Sequence, residues 1–170
     1  REILSASSEL VQKGVIGVEA ELLVADAYRK TMGKPLSRAE LLLRAADRYP
    51  EAAADQLLIL ATSRAEGKLL QYLTGFQVFL DHEYEVSPAV LVPRPETEVL
   101  VTECFRILES RTPHPELGFE VGLGSGIISI ELVALFPRLR MIASEWSADA
   151  RAQAAVNARK ILGASQDRLE

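Results

Sequence analysis

The stretch FEVGLGSGIISIELVALFP, Phe119–Pro137, decides how the rest of the chain is read. A short strand-like start carries Glu120 and runs into three alternating glycines, Gly122, Gly124 and Gly126, and an apolar, helix-like run follows. Glycine at such positions permits positive φ and lets a ligand approach the backbone without meeting a Cβ. The helix that follows presents unpaired N–H groups to whatever lies at the carboxyl end of the strand. Two readings stay open at this point: a bare strand-to-helix turn, or a cradle for a nucleotide-like cofactor. A dinucleotide fingerprint, G-x-G-x-x-G, needs glycine where Ile127 stands, so the spacing disfavours a nicotinamide-dependent dehydrogenase.

Downstream, RLRMIASE reads as a second strand and SADARAQAAVNARKILG as an alanine-rich helix from about Ser147 to Gly163. Strand, glycine turn, helix, strand and helix are the start of a parallel α/β sheet. Glu145 falls at the end of the second strand, where a carboxylate can accept hydrogen bonds from two ribose hydroxyls. It strengthens the cofactor reading. Trp146 beside it either covers an adenine face or is a tryptophan buried at the surface.

Upstream the texture differs. Residues 1–69 read as four amphipathic helices in a small bundle: ILSASSELVQKG, VEAELLVADAYRKTMG, PLSRAELLLRAADRYP and PEAAADQLLILATSRAEG. The third opens on Ser37-x-x-Glu40, a capping box, and the fourth on Pro50, suited to a first helical position. Residues 70–94 are rich in Tyr, Phe and Val, from Tyr72 to Val92, and read as a β-hairpin linker with its turn at Asp81-His82. PETEVLVTECFRILESR then reads as a helix with Pro95 near its first position and Glu96 and Glu98 in its first turn. The fold expected is α+β: an N-terminal all-helical bundle over 1–69, the hairpin linker over 70–94, and the first part of a Rossmann-like α/β domain over 95–170.

Composition narrows the function classes. The net charge is −5, from 19 Lys and Arg against 24 Asp and Glu, and no basic run marks a nucleic-acid footprint. A single cysteine, Cys104, leaves no internal disulfide or cysteine-rich metal site, and two isolated histidines, His82 and His114, suggest no metal centre. No apolar run reaches the roughly 18 residues of a membrane span, and the N-terminus lacks a signal-peptide pattern. A cytoplasmic monomer is the expectation, with protein rather than nucleic acid or membrane as any macromolecular partner.

These residues, together with PLSRAELL, LLQYLTGFQVF and VLVPRPETEVLV, resemble the HemK-type peptide chain release factor glutamine methyltransferases over nearly the whole chain and in the right order. The most specific element is PRPETE, Pro93–Glu98, ahead of the glycine turn. The resemblance implies S-adenosyl-L-methionine as methyl donor and, as substrate, the GGQ glutamine of a release factor in translation termination. It implies that Gly122, Leu123, Gly124, Ser125 and Gly126 wrap the methionine end of the cofactor and that Glu145 binds its ribose. Glu120, Trp146 and Arg94 are further candidates. The family has Asp at the positions of Glu120 and Glu145 and Thr at that of Leu123.

The family also carries Asn-Pro-Pro-Tyr after a later strand, whose acceptors hold the N–H groups of the glutamine amide and aim its nitrogen at the sulfonium methyl. Here the only asparagine is Asn157, followed by Ala158, so no catalytic residue is assigned within these 170 residues. The expectation is a fragment of a longer enzyme, inactive alone, with the helical bundle as docking module for the protein substrate. An amino-methyltransferase with another protein or small-molecule substrate, or a non-catalytic docking module with a vestigial cofactor turn, are the alternatives.

Overall fold

The computed structural model describes residue 12 and residues 17–34, 36–44 and 47–170. The first expected helix, ILSASSELVQKG, lies outside these residues except for Gln12. The chain divides into two compact units, Arg1–Thr74 and Gly75–Glu170.

In the first unit, helices α1 (Gly17–Met32), α2 (Arg38–Leu43), α3 (Glu51–Ala65) and α4 (Leu70–Thr74) surround a core of Leu23, Val24, Leu41, Leu57 and Leu60. The capping box forms: Glu40 N–H donates to Ser37 Oγ at 3.2 Å and Ser37 N–H donates to Glu40 Oε2 at 2.9 Å. Helix α2 closes at Leu43, earlier than PLSRAELLLRAADRYP implied, with Arg44 N–H turned back onto Glu40 O. Pro50 precedes α3 as its cap residue rather than its first helical one, and its carbonyl accepts from Ala54 N–H.

Residues 70–74 are helical where their aromatic and β-forming content predicted strand. Tertiary contacts override propensity there. Leu70 and Leu73, three apart, pack on the bundle core, and Arg29 and Lys30 donate to the carbonyls of Thr74 and Leu73 at 2.8 and 2.6 Å. Both cations are ion-paired with the buried Asp26, at 2.7 and 2.8 Å, so an ion-paired charge cluster ends the short helix. Gly75, with φ of +85°, turns the chain out of it.

The second unit begins with an antiparallel hairpin, β1 (Phe76–Phe79) and β2 (His82–Glu85), pairing Phe76 with Glu85 and Phe79 with His82. The turn is Leu80-Asp81, one residue earlier than expected, with Leu80 at φ +49°. Leu80 N–H donates to Glu98 Oε1 at 3.3 Å. The hairpin is packed into the core of this unit. Phe79 and Tyr84 lie edge to face, 6.0 Å apart, and are buried with Val101, Ile127, Ile130 and Ala158. Residues Ser87–Arg94, whose valines read as strand, run without regular structure into α5 (Pro95–Glu109), which has Pro95 at its first position.

The remaining elements are β3 (Leu117–Val121), α6 (Ile127–Leu135), β4 (Arg140–Ser144), α7 (Ala148–Leu162) and a 3₁₀ turn, Gly163–Arg168. Strands β3 and β4 are parallel in the register Leu117–Arg140 to Val121–Ser144. Leu169 and Glu170 then pair alongside β4, through Glu170 N–H to Met141 O and Ala143 N–H to Glu170 O. Exposure alternates along both strands. Met141 is buried beneath α6 with Leu132, Val133 and Leu139, whereas Phe119 and Val121, on the opposite face, are 71% and 90% exposed.

A buried carboxylate ties the hairpin to α6. Glu131 is 2% exposed; its Oε1 accepts from the Tyr84 hydroxyl at 2.8 Å and lies 2.9 Å from His82 Nδ1. Burial, and the charge of Glu131, push the Tyr84 hydroxyl well above its ordinary value, so it serves as donor. Tyr84→Phe leaves a buried acceptor with one donor fewer, and urea denaturation followed by circular dichroism is expected to show a loss of about 1–3 kcal/mol.

Candidate functional site

The candidate site lies at the carboxyl ends of β3 and β4, and the loop between β3 and α6 forms its centre. Gly122 N–H and Leu123 N–H both donate to Ser144 O, at 2.8 and 3.1 Å, which folds the start of the loop over the end of β4. Gly126 N–H closes the turn onto Leu123 O at 2.9 Å. Gly126 itself has φ of +86°, and a Cβ there would come within 2.8 Å of Ile130 Cδ1 and 3.3 Å of Ala154 Cβ. The backbone angle calls for glycine, and the close packing of α6 and α7 leaves a Cβ little room. Gly124, at φ +56°, has open space where a Cβ would stand, so its backbone is accessible from the solvent side.

Two carboxylates flank this loop. Glu145 follows β4 and is partly exposed; its Oε1 accepts from Ser147 N–H and its Oε2 from Gly124 N–H, each at 2.9 Å. The bond from Ser147, then that from Gly124, hold its carboxyl below the usual value, as an anion at the start of α7. A carboxylate offers about four acceptor positions, so two remain for hydroxyl donors. Arg151 Nη1 donates to the carbonyls of Glu145 and Trp146, at 2.6 and 3.0 Å, and fixes the backbone that carries the carboxylate.

Glu120, in β3, accepts from Ser129 N–H at 3.1 Å and from the Ser129 hydroxyl. Gly126 supplies no side-chain cap to α6, so Glu120 takes over that duty from the neighbouring strand. Burial raises its carboxyl above the ordinary value, and the bonds from Ser129 oppose that rise.

The loop separates two clefts. One, of about 150 Å³, lies between Leu91, Val92, Pro93 and Thr97 on one wall and Gly122, Leu123, Gly124 and Ser125 on the other, with Glu120, Ile127 and Ile128 at its base. The other, of about 520 Å³, is lined by Leu123, Ala143, Glu145 and Arg151, the alanines 154, 155 and 158 of α7, and residues of the segment 166–170. Leu123 lines both, whereas Glu120 lines the narrower cleft and Glu145 the wider one.

The structure thus brings Glu120, Gly122, Leu123, Gly124, Ser125 and Glu145 together, with Gly126 as the hinge behind them. Two candidates stand apart. Arg94 caps α5, is exposed and does not line the cleft beside it, although its neighbours Leu91, Val92 and Pro93 do. Trp146 is 98% exposed, so it is neither buried nor covering a cleft wall. Sequence reasoning passed over Leu91, Thr97, Ser129, Arg151 and Asn157. Asn157 had a readable signal: it shares the helical stripe of Ala150, Ala154 and Ala158, where a polar side chain must find partners. Among the described residues, no group of three His, Cys, Asp or Glu side chains is placed to hold a metal ion, and no helix is long and apolar enough to cross a membrane.

No family model matches the chain. Curated relatives do. The chain is 38% identical over 145 residues to a release factor glutamine methyltransferase of Moorella thermoacetica, covering 85% of this chain and 48% of the relative. It is 36% identical over 159 residues to that of Burkholderia pseudomallei (93% and 53%) and 33% identical over 152 residues to that of Bordetella pertussis (89% and 53%). The chain spans about half the length of the curated relatives it matches. Over that span, with a helical unit followed by a hairpin and a parallel α/β unit, it belongs to the family of the release factor glutamine methyltransferases.

Proposed function

We propose that the protein carries a methyl group from S-adenosyl-L-methionine to the side-chain amide of a glutamine in a peptide chain release factor, in the cytoplasm. The family implies a methyl donor, and the relatives' names specify the acceptor. One observation carries the reading of the donor: two carboxylates at the ends of adjacent parallel strands flank a glycine loop that divides two clefts.

The residues present fit an extended, zwitterionic cofactor. Glu145, with two acceptor positions left, suits the ribose hydroxyls. Glu120 lines the narrower cleft and suits an ammonium group, and the start of α6 at Ile127 and Ile128 suits a carboxylate. The wider cleft beyond Glu145 is lined by alanines and suits a flat apolar base. Gly124 lets the ligand reach the backbone. When bound, S-adenosylmethionine supplies an electrophilic methyl on a sulfonium. The residues assigned here hold and orient that donor, and none of them is assigned to the acceptor amide. The first unit, with its helices α1 to α4, is assigned to docking of the release factor, residues 75–94 to the connection, of which Leu91, Val92 and Pro93 also wall the narrower cleft, and residues 95–170 to the rest of the donor site.

Two variants separate binding from folding. Glu145→Ala is expected to weaken S-adenosylhomocysteine binding by about tenfold or more in calorimetry, since two charge-assisted bonds are lost. Unchanged affinity removes the ribose assignment. Glu120→Gln keeps an acceptor for Ser129 and removes the charge. A carboxyl raised in the folded state binds its proton more tightly folded than unfolded, so the stability it contributes is present below the unfolded value and lost as pH rises through the folded value. Thermal melts are therefore expected to show the parent chain losing ground to Glu120→Gln as pH climbs past the ordinary carboxylate range, while the variant binds S-adenosylhomocysteine more weakly. Equal affinity in the two chains removes the ammonium assignment. For the acceptor, incubating the protein with S-adenosylmethionine and a release factor is expected to give a glutamine-containing peptide one methylene heavier by mass spectrometry. An unmodified peptide from an enzyme that binds the donor overturns that substrate.

A further inference from the structure

Asn157 stands in the middle of α7 and is fully buried. Asparagine is a poor helix former, and a buried carboxamide is costly unless its donors and acceptor are used. Here they are used across three segments. Its Oδ1 accepts from Glu85 N–H at 2.8 Å, and its Nδ2 donates to Glu85 O at 3.0 Å and to Ser125 O at 2.9 Å. The pair of bonds to Glu85 repeats the pattern of one strand residue on another and holds the end of β2. The third bond holds the glycine loop one residue before its hinge at Gly126. The network fixes which end of the amide is oxygen, because two carbonyls need donors and one N–H needs an acceptor.

The two anchor points lead to opposite walls of the same cleft. From Glu85 the chain passes through the buried Val86 and Val90 to Leu91, Val92 and Pro93; Ser125 belongs to the facing wall. We propose that Asn157 is a positioning residue for the narrow cleft: its carboxamide ties the glycine loop to the hairpin and so sets the separation of the walls between which the donor is held. This deepens the cofactor reading above and rests on it. No isostere does the same work. Aspartate offers only acceptors and would face two carbonyls, and leucine would leave one N–H and two carbonyls of the backbone without these partners.

The test needs one measurement on the unaltered chain and one variant. Asn157 is the only asparagine, so its carboxamide gives a distinct pair of side-chain amide resonances once the glutamines are assigned. Those protons are expected to exchange with solvent far more slowly than the glutamine side chains at the surface; exchange at the surface rate overturns the proposal. In Asn157→Asp, backbone resonances of both walls, Leu91 to Thr97 and Gly122 to Ser125, are expected to move while those of the first unit stay in place. Changes confined to one wall, or spread evenly over the second unit as for simple loss of stability, overturn it. S-adenosylhomocysteine affinity is expected to fall about tenfold in the variant. If the parent chain binds and the variant binds equally well, Asn157 positions nothing and the cofactor reading stands. If the parent chain does not bind, the cofactor reading of this chain falls, and the exchange and shift measurements alone decide what Asn157 holds.

Discussion

A chain that leaves β3 and enters α6 within five residues bends here through left-handed backbone, and at Gly126 any other residue would do so under strain. The φ of +86° and the nearness of Ile130 and Ala154 act together there: a methyl group would meet Ile130 Cδ1 at 2.8 Å and Ala154 Cβ at 3.3 Å, on a backbone angle that side chains rarely adopt. That contact explains the alanines of α7, since larger side chains at Ala154 or Ala158 would push the helix away from the hinge and from the hairpin behind it. It also explains the placing of the flanking acids. With glycine at the cap, α6 starts without a side chain of its own to satisfy its first N–H groups, and Glu120 serves one of them, that of Ser129, from β3.

Around that hinge the second unit relies on a few buried polar groups, each shared between elements. Glu131 gathers Tyr84 and His82 of the hairpin onto α6, and Asn157 gathers Glu85 and Ser125 onto α7. Apolar contacts tolerate sliding, whereas a buried carboxylate or carboxamide has one arrangement that satisfies it. The hairpin is thus bonded to both helices, and its last residue, Glu85, shares the Asn157 carboxamide with Ser125 of the glycine loop. Asp26 plays a comparable part in the first unit, where its two cations also serve the end of a five-residue helix too short to persist by itself.

Much of this was legible in the sequence because it rests on local rules. Glycine spacing marked the turn, Ser37 and Glu40 marked a helix start, and Pro95 with two glutamates marked another. The place of Glu145 at a strand end was legible too, since β4 closes at Ser144. What escaped reading depends on contacts far apart in the chain. Residues 70–74 carry strand-forming residues and are held as a helix by cations more than 40 positions away. The valines of 86–92 pack as a buried loop rather than a ladder, since the prolines around them remove donors and the hairpin already ends at Glu85. Arg94, one of the further candidates, stands outside the narrower cleft, which its apolar neighbours Leu91, Val92 and Pro93 line. Asn157 drew notice only for the proline that does not follow it, because its partners lie 32 and 72 positions back.

The indole of Trp146 has a consequence beyond recognition. It is the single tryptophan of the chain, stands 98% exposed, and is one residue from Glu145, which lines the larger cleft. An indole in water and one stacked beneath a base differ in emission colour and in accessibility to dissolved quenchers. The emission of the chain therefore reports the surroundings of one indole at the end of β4, free of interference from any other tryptophan and requiring no label.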